Sequence, residues 1–198
     1  MRVSKEQAAQ NRQKLLTAAA RLFREQGISA TGVDAITKDT GLTHGAFYSQ
    51  FGSKEAVTAE AIRNALSESR GRWQRLAQRQ GRENAFSSIV TAYLSQDHRD
   101  VSGRGCVVAA LGGEIAKQAA PVRDAFTAEF KDALNLLAEV MSGDDAARGD
   151  DDAIVAFATM AGAVILARAV SDAALSDRIL ETTARSLLDT SKQSPAQH

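Results

Sequence analysis

The chain has 198 residues, of which 44% are apolar, 24% charged and 5% aromatic, with two prolines and one cysteine. That apolar share excludes a disordered chain, and a single cysteine excludes an internal disulfide framework. Net charge is zero, yet residues 1–54 carry eight Lys and Arg against four Asp and Glu, so a head of +4 sits on a remainder of −4. Such a basic head on an acidic body is the electrostatic footprint of a small nucleic-acid-binding module carried by a separate domain.

Abundant Ala, Leu, Arg and Glu, with no sustained period-2 alternation, predict an all-α chain of about nine helices. The first spans about 5–26, with Leu15, Ala18, Ala19, Leu22 and Phe23 at three- and four-residue spacing, and Gly27 ends it. Two short helices follow. Val33 and Ile36 share a face of the first, Gly41 supplies a left-handed stop, Leu42 returns to the core and Thr43 caps the second, over about 44–50. Phe47 and Phe51 are four apart and point inward together, leaving Thr43, His44, Tyr48, Ser49 and Gln50 to face out. A short helix with aromatic anchors behind and polar groups in front suits a major groove.

After Gly52, Ser53 caps a long helix over about 54–80 with Val57, Ile62, Leu66, Trp73 and Leu76 inward, running from the head into the body. A helix over about 83–97 carries Phe86, Ile89, Val90, Tyr93 and Leu94. A loop over 97–105 follows, and Gly105-Cys106 opens a helix to about Gln118. Pro121 stands at a first helical position, ahead of a stripe of Val122, Phe126, Phe130, Leu134, Leu137 and Met141. Residues 142–152 lack periodicity and read as an exposed loop, and helices over about 151–171 and 175–190 precede a disordered tail at 191–198. Ile154, Phe157, Ala158, Ala161, Val164, Ile165 and Ala169 make the penultimate helix apolar over more than one face. A homodimer through a four-helix bundle of the last two helices accounts for that, with Ala161 in its interface. The N-terminus is charged and no run of some 18 apolar residues is evident, so the reading is a cytoplasmic protein without a membrane segment.

Across Gly27, Thr31, Val33, Ile36, Gly41-Leu42-Thr43, Gly45, Phe47-Tyr48, Phe51 and Lys54-Glu55 the chain resembles the TetR family of bacterial transcriptional regulators. It departs from that pattern at Gly32, Thr37, Thr40 and Gln50. The resemblance implies a helix-turn-helix DNA-binding domain at 1–52 and an effector-binding and dimerisation domain at 53–190. It implies a double-stranded DNA operator, an unknown small-molecule effector and a repressor's role, with the long helix moving when ligand binds. In that reading Thr43, His44 and Gln50 lie at or near base edges, and Thr31, Tyr48 and Lys54 at phosphates. Trp73, Phe86, Tyr93, Phe126, Phe130 and Met160 are candidates for a pocket wall or for ordinary core. Cys106, next to Arg104 at a helix start, is either a redox or electrophile sensor or a packing residue. The histidines are scattered, and no metal-ligand spacing, phosphate loop or nucleophile motif occurs, so no metal, cofactor or enzyme activity is expected. A helical small-molecule-binding protein without DNA function is the remaining reading.

Overall fold

The computed structural model describes residues 4–101, 103, 105–142 and 146–192. The described residues form ten α-helices and no strand. Helix α1 (Lys5–Gln26) starts where the Ser4 hydroxyl accepts the Gln7 amide at 3.1 Å and ends at Gly27, φ +91°. Helices α2 (Val33–Thr40) and α3 (His44–Phe51) flank Gly41, which is left-handed at φ +69° and lets the Leu42 amide return to the Thr37 carbonyl at 3.0 Å. The Thr43 hydroxyl accepts the Ala46 amide at 3.2 Å, and Ser53 caps α4 in the same way through Ala56 at 3.1 Å.

Helix α4 (Lys54–Gln80) has 27 residues, so it is about 40 Å long at 1.5 Å per residue. Its N-terminal half, from Val57 to Leu66, lies in one apolar cluster with α1, Ile36, Phe47 and Phe51, together with Val107, Leu111 and Val122 from further along the chain. Its Trp73 lies in a second cluster with Phe86, Tyr93, Leu137, Phe157, Met160 and Leu180. Helices α5 (Arg82–Tyr93), α8 (Ala120–Ser142), α9 (Ala146–Ala169) and α10 (Ala173–Lys192) build that second body, with α8 packed between α4 and α9.

Several expected boundaries differ. Helix α5 stops at Tyr93, because Ser95 caps a separate short helix α6 (Gln96–Asp100) by accepting the His98 amide at 3.2 Å. The expected 97–105 loop is therefore helical at its start. Helix α7 (Val107–Ile115) ends three residues earlier than Gln118. The region read as a loop to residue 152 is helical from Ala146, since a pair of alanines favours helix without needing an apolar stripe; residues 143–145 lie outside the described set. The tail expected to be disordered lies there too from residue 193, while Ser191 and Lys192 still belong to α10.

Helix α9 bears on two further expectations. Its Asp150–Ala169 portion contains a window with a mean hydropathy of 1.6, long and apolar enough by length and composition to cross a membrane. One face of it, Ala153, Phe157, Met160, Val164 and Ala167, is nevertheless buried in the second cluster, the setting of a core helix. Ala161 is 6% exposed within that same protomer core, so it does not lie on the outward face. Ile154, Val155, Ile165 and Leu166 do, at 50%, 62%, 46% and 57% exposure, with Ala158 and Gly162 between them.

The head is fastened to the body by side chains distant in sequence. The Glu114 carboxylate on α7 accepts the Ser29 amide at 2.9 Å, and the Arg24 guanidinium on α1 donates to the Gly103 carbonyl at 2.8 Å. Gly27 is needed twice at this joint. Its backbone (φ +91°, ψ 156°) is a region essentially reserved for glycine, and a Cβ there would strike the Glu114 carboxylate. Gly41 has a left-handed backbone but open space around it. Gly27→Ala should therefore cost about 2–4 kcal/mol, combining backbone strain with loss of a charged hydrogen bond. Gly41→Ala should cost about 1–2 kcal/mol. Thermal unfolding followed by circular dichroism should place Gly27→Ala clearly below Gly41→Ala, and equal midpoints would refute the joint's double demand.

Candidate nucleic-acid interface

Helix α3 is held from behind. Phe47 is fully buried and Phe51 nearly so, their ring centroids 5.7 Å apart. Burying a phenylalanine stabilises by about 2–3 kcal/mol, enough to seat a two-turn helix that would not persist alone. Arg12 of α1 lies over the Phe51 ring with its guanidinium carbon 4.5 Å from the centroid, and makes a two-pronged pair with Glu60 of α4, Nη2 to Oε2 at 2.6 Å. One arginine thus ties α1, α3 and α4 together.

The outward face carries Thr43, His44, Tyr48 and Ser49, all exposed, with Gln50 half-buried at its edge. Tyr48 is 50% exposed, and its ring stands at 84° to that of Phe47 with the centroids 5.3 Å apart. Thr43 keeps its hydroxyl on the Ala46 amide, so its cap role competes with any outward contact.

Two expected phosphate contacts are placed differently. Thr31 is fully buried, and its hydroxyl donates to the carbonyls of Gly27 at 2.8 Å and Leu22 at 3.3 Å. It fastens the α1–α2 loop from within and is not available to a phosphate. Lys54 is half-buried and its Nζ donates to the Ile28 carbonyl at 2.7 Å, so it closes the same loop against the start of α4. Asp34 was counted in the sequence only as an acid. Here its carboxylate meets His44 Nε2 at 2.5 Å across the turn between α2 and α3. The two residues are ten apart on different helices, so spacing rules for a single helix do not reveal them.

The body candidates divide. Trp73, Phe86, Tyr93 and Met160 are buried in the second cluster and Phe130 packs against it, but Phe126 packs against the first. The aromatic side chains rest on one another: Phe157, whose place in this group the sequence did not suggest, lies 5.6 Å from Trp73 and 5.0 Å from Phe130, each edge-on or tilted. A separate shallow cleft, open to solvent, runs between α1 and α4 beside Leu16, Thr17, Asn64 and Glu68.

Cys106 occupies the capping position before α7 and is 5% exposed. Its amide donates to His98 Nε2 at 3.0 Å, which leaves the ring hydrogen on Nδ1 to be donated to the Tyr93 carbonyl at 2.6 Å. Burial, chiefly, holds the His98 pKa below its ordinary value, despite the Tyr93 carbonyl, and Arg168 and Arg72 add to the effect. Arg168 of α9 donates to the carbonyls of His98 and Arg99, each at 2.9 Å. The Tyr93 hydroxyl is buried with no hydrogen-bond partner among the described residues, and burial together with the neighbouring Cys106 pushes its pKa well above 10. Among the described residues no cluster of three or more His, Cys, Asp or Glu is placed to hold a metal ion.

Comparison with known proteins bears on both halves. Residues 15–61 match the family model described as bacterial regulatory proteins, tetR family. The HTH-type transcriptional regulator LmrA of Bacillus subtilis (strain 168) is 27% identical over 163 residues, 79% of this chain and 85% of LmrA. The HTH-type transcriptional regulator AcrR of Shigella flexneri is 41% identical over 59 residues, covering 30% of this chain and only 27% of AcrR. Among solved structures, the reduced form of NemR from E. coli superposes with a TM-score of 0.79 at 20% identity, over 91% of this chain and 96% of that one. At that identity the likeness speaks for the fold: a small helical head on a larger helical body.

Proposed function

We propose that this chain, which belongs to the TetR family of bacterial regulatory proteins, is a homodimeric repressor that leaves its DNA operator when a small molecule binds the body. The observation that carries the reading is α3 itself, an exposed polar face mounted on Phe47 and Phe51 in a head of net positive charge. The head is taken as residues 1–52 and the body as 53–190, both acting in the cytoplasm. Exposed His44, Tyr48 and Ser49, with Gln50 at the edge, approach the groove. Lys54 reaches a phosphate by exchanging its bond to the Ile28 carbonyl for the stronger charge of the DNA backbone.

The outward stripe of α9 fits a second copy of the chain. Ile154, Val155, Ile165 and Leu166 would leave water on pairing, and Ala158 and Gly162 permit close helix approach. Pairing fixes the distance between two α3 helices, and a ligand acts by favouring a dimer in which that distance is wrong. Only a difference in affinity between the two arrangements can do this, and a coupling of about 1–3 kcal/mol corresponds to roughly 5- to 150-fold release. The aromatic cluster around Phe157 is packed, so an effector entering there has to spread Trp73 and Phe130.

A second reading makes Cys106 the trigger. It is favoured by the setting of the thiol, beside the buried Tyr93 hydroxyl at the start of α7, in a turn that Arg168 ties to α9. Its obstacle is the 5% exposure of the residue.

Four experiments test these statements. Selection from a random DNA pool should yield a two-fold symmetric site, bound with a slope of log K against log salt of roughly −5 for about six phosphate contacts per dimer. Lys54→Ala should flatten that slope and weaken all sequences alike, whereas Gln50→Ala should change which sequence is selected; the reverse pattern would exchange their roles. Ile165→Glu should place a carboxylate in the apolar interface and give a monomer by sedimentation with operator affinity lost, and a variant that remains dimeric would move the interface elsewhere. Alkylation of Cys106 in the native protein should be slow and become fast only on unfolding. Fast native labelling that releases operator DNA, abolished by Cys106→Ser, would instead establish the thiol as the trigger.

A further inference from the structure

The joint between head and body is notched on both sides. On the head side, Gly27 leaves room for the Glu114 carboxylate of α7, which a Cβ at that position would strike, and the carboxylate accepts the Ser29 amide at 2.9 Å. On the body side, Gly103 lies so close to α1 that a Cβ there would meet the Glu25 carboxylate and the Arg21 side chain, and its carbonyl accepts from Arg24 Nε at 2.8 Å. The two bonds run in opposite directions across the joint: a body carboxylate takes a head amide, and a head guanidinium gives to a body carbonyl.

Beneath them lies apolar contact. Val107, Leu111 and Ile115 of α7 share a cluster with Leu22, Phe23 and Ile28 of the head. Apolar contact is non-directional, so it keeps α7 against α1 without fixing how far one slides along the other. Hydrogen bonds demand distance and angle, and these two fix that register. Ser29 is exposed, so water satisfies its amide when Glu114 is removed, and the head keeps its fold.

The register matters because two heads have to meet one duplex. One extra base pair between half-sites moves them apart by about 3.4 Å and turns one against the other by about 35°. Shared equally, that requires each head to shift by about 1.7 Å on its body. The bond from Ser29 to Glu114, stretched by so much, is no longer a hydrogen bond.

We propose that Glu114 and Arg24 are positioning residues for operator geometry: by fixing the register of the head on the body they make the paired protein reject sites whose half-sites stand one base pair too near or too far. The inference rests on the homodimeric operator-binding reading and adds to it what sets the half-site spacing. Both residues act through the attitude of the head, not by reading bases.

The test uses the full-length protein and a site that the wild type selects from a random pool. Versions of that site carry one base pair more or one fewer between unchanged half-sites, and binding is followed by fluorescence anisotropy. The wild type should bind both altered sites about tenfold or more weakly than the original, since each bond lost involves a charged group. Glu114→Ala and Arg24→Ala should distinguish the three spacings by less than about threefold, while a repeat selection returns the same half-site sequence. Glu114→Gln keeps an acceptor oxygen at the same reach and should retain most of the discrimination. A loss of stability alone weakens all three sites alike, so the ratio between them is the readout. Hydrogen exchange should show the Ser29 amide exchanging faster in Glu114→Ala while the amides of α1 stay protected, which separates loss of the bond from loss of the fold. Either alanine variant decides the matter if the other does not fold. Wild-type discrimination retained by the alanine variants, or no discrimination in the wild type, overturns the proposal. If the wild type selects no two-fold symmetric site, the operator-binding reading fails first, and this inference falls with it.

Discussion

Helix α4 supplies apolar side chains to two separate cores, and the remaining architecture depends on that double membership. Ile62 and Leu66 are sealed against α1 and α7, while Trp73, two turns on, is sealed against Tyr93 and Phe157. A rigid rod anchored at both ends transmits displacement, because close-packed side chains cannot absorb a shift of even one methylene without repacking. In the proposed mechanism this rod is the route from the aromatic cluster at one end to Ser53 and α3 at the other.

The rod is not the only link. Glu114 holds the Ser29 amide, Arg24 holds the Gly103 carbonyl, and Arg12 binds Glu60 while covering Phe51. Each joins an element of the head to one that begins or lies beyond α4. Two of these are hydrogen bonds between a charged group and backbone, stronger than neutral ones and lost abruptly when geometry fails. The head thus has a defined seat on the body, with Gly27 shaped to admit the Glu114 carboxylate.

On the far side of the Gly103 segment, the His98 ring joins the end of α5 to the start of α7, and Arg168 pins the same turn to α9. Since α9 also carries the exposed apolar stripe, the polar network connects the proposed pairing surface to the segment that Arg24 touches. The neutral state of His98 follows from its bonds: an imidazole accepting an amide on one nitrogen has no place for a second proton, and burial adds to the penalty.

The sequence alone determined what depends on near neighbours in the chain. The stops at Gly27 and Gly41, the caps at Thr43 and Ser53, the length of α4 and the inward pair Phe47 and Phe51 are all relations within about four residues, the range over which helical geometry places one side chain beside another. Basic charge gathered in the first 54 residues was equally legible. Tertiary structure alone decided which polar groups remain free. Thr31 is consumed by the carbonyls of Gly27 and Leu22, Lys54 by that of Ile28, and Asp34 is brought to His44, although none of these side chains looks committed in the sequence. It also turned Ala161 inward while Ile165 faces out, one turn further along the same helix. An apolar period states that a helix has a buried face. Which neighbour covers each part of that face depends on how helices distant in the chain cross, and local spacing carries no record of that crossing.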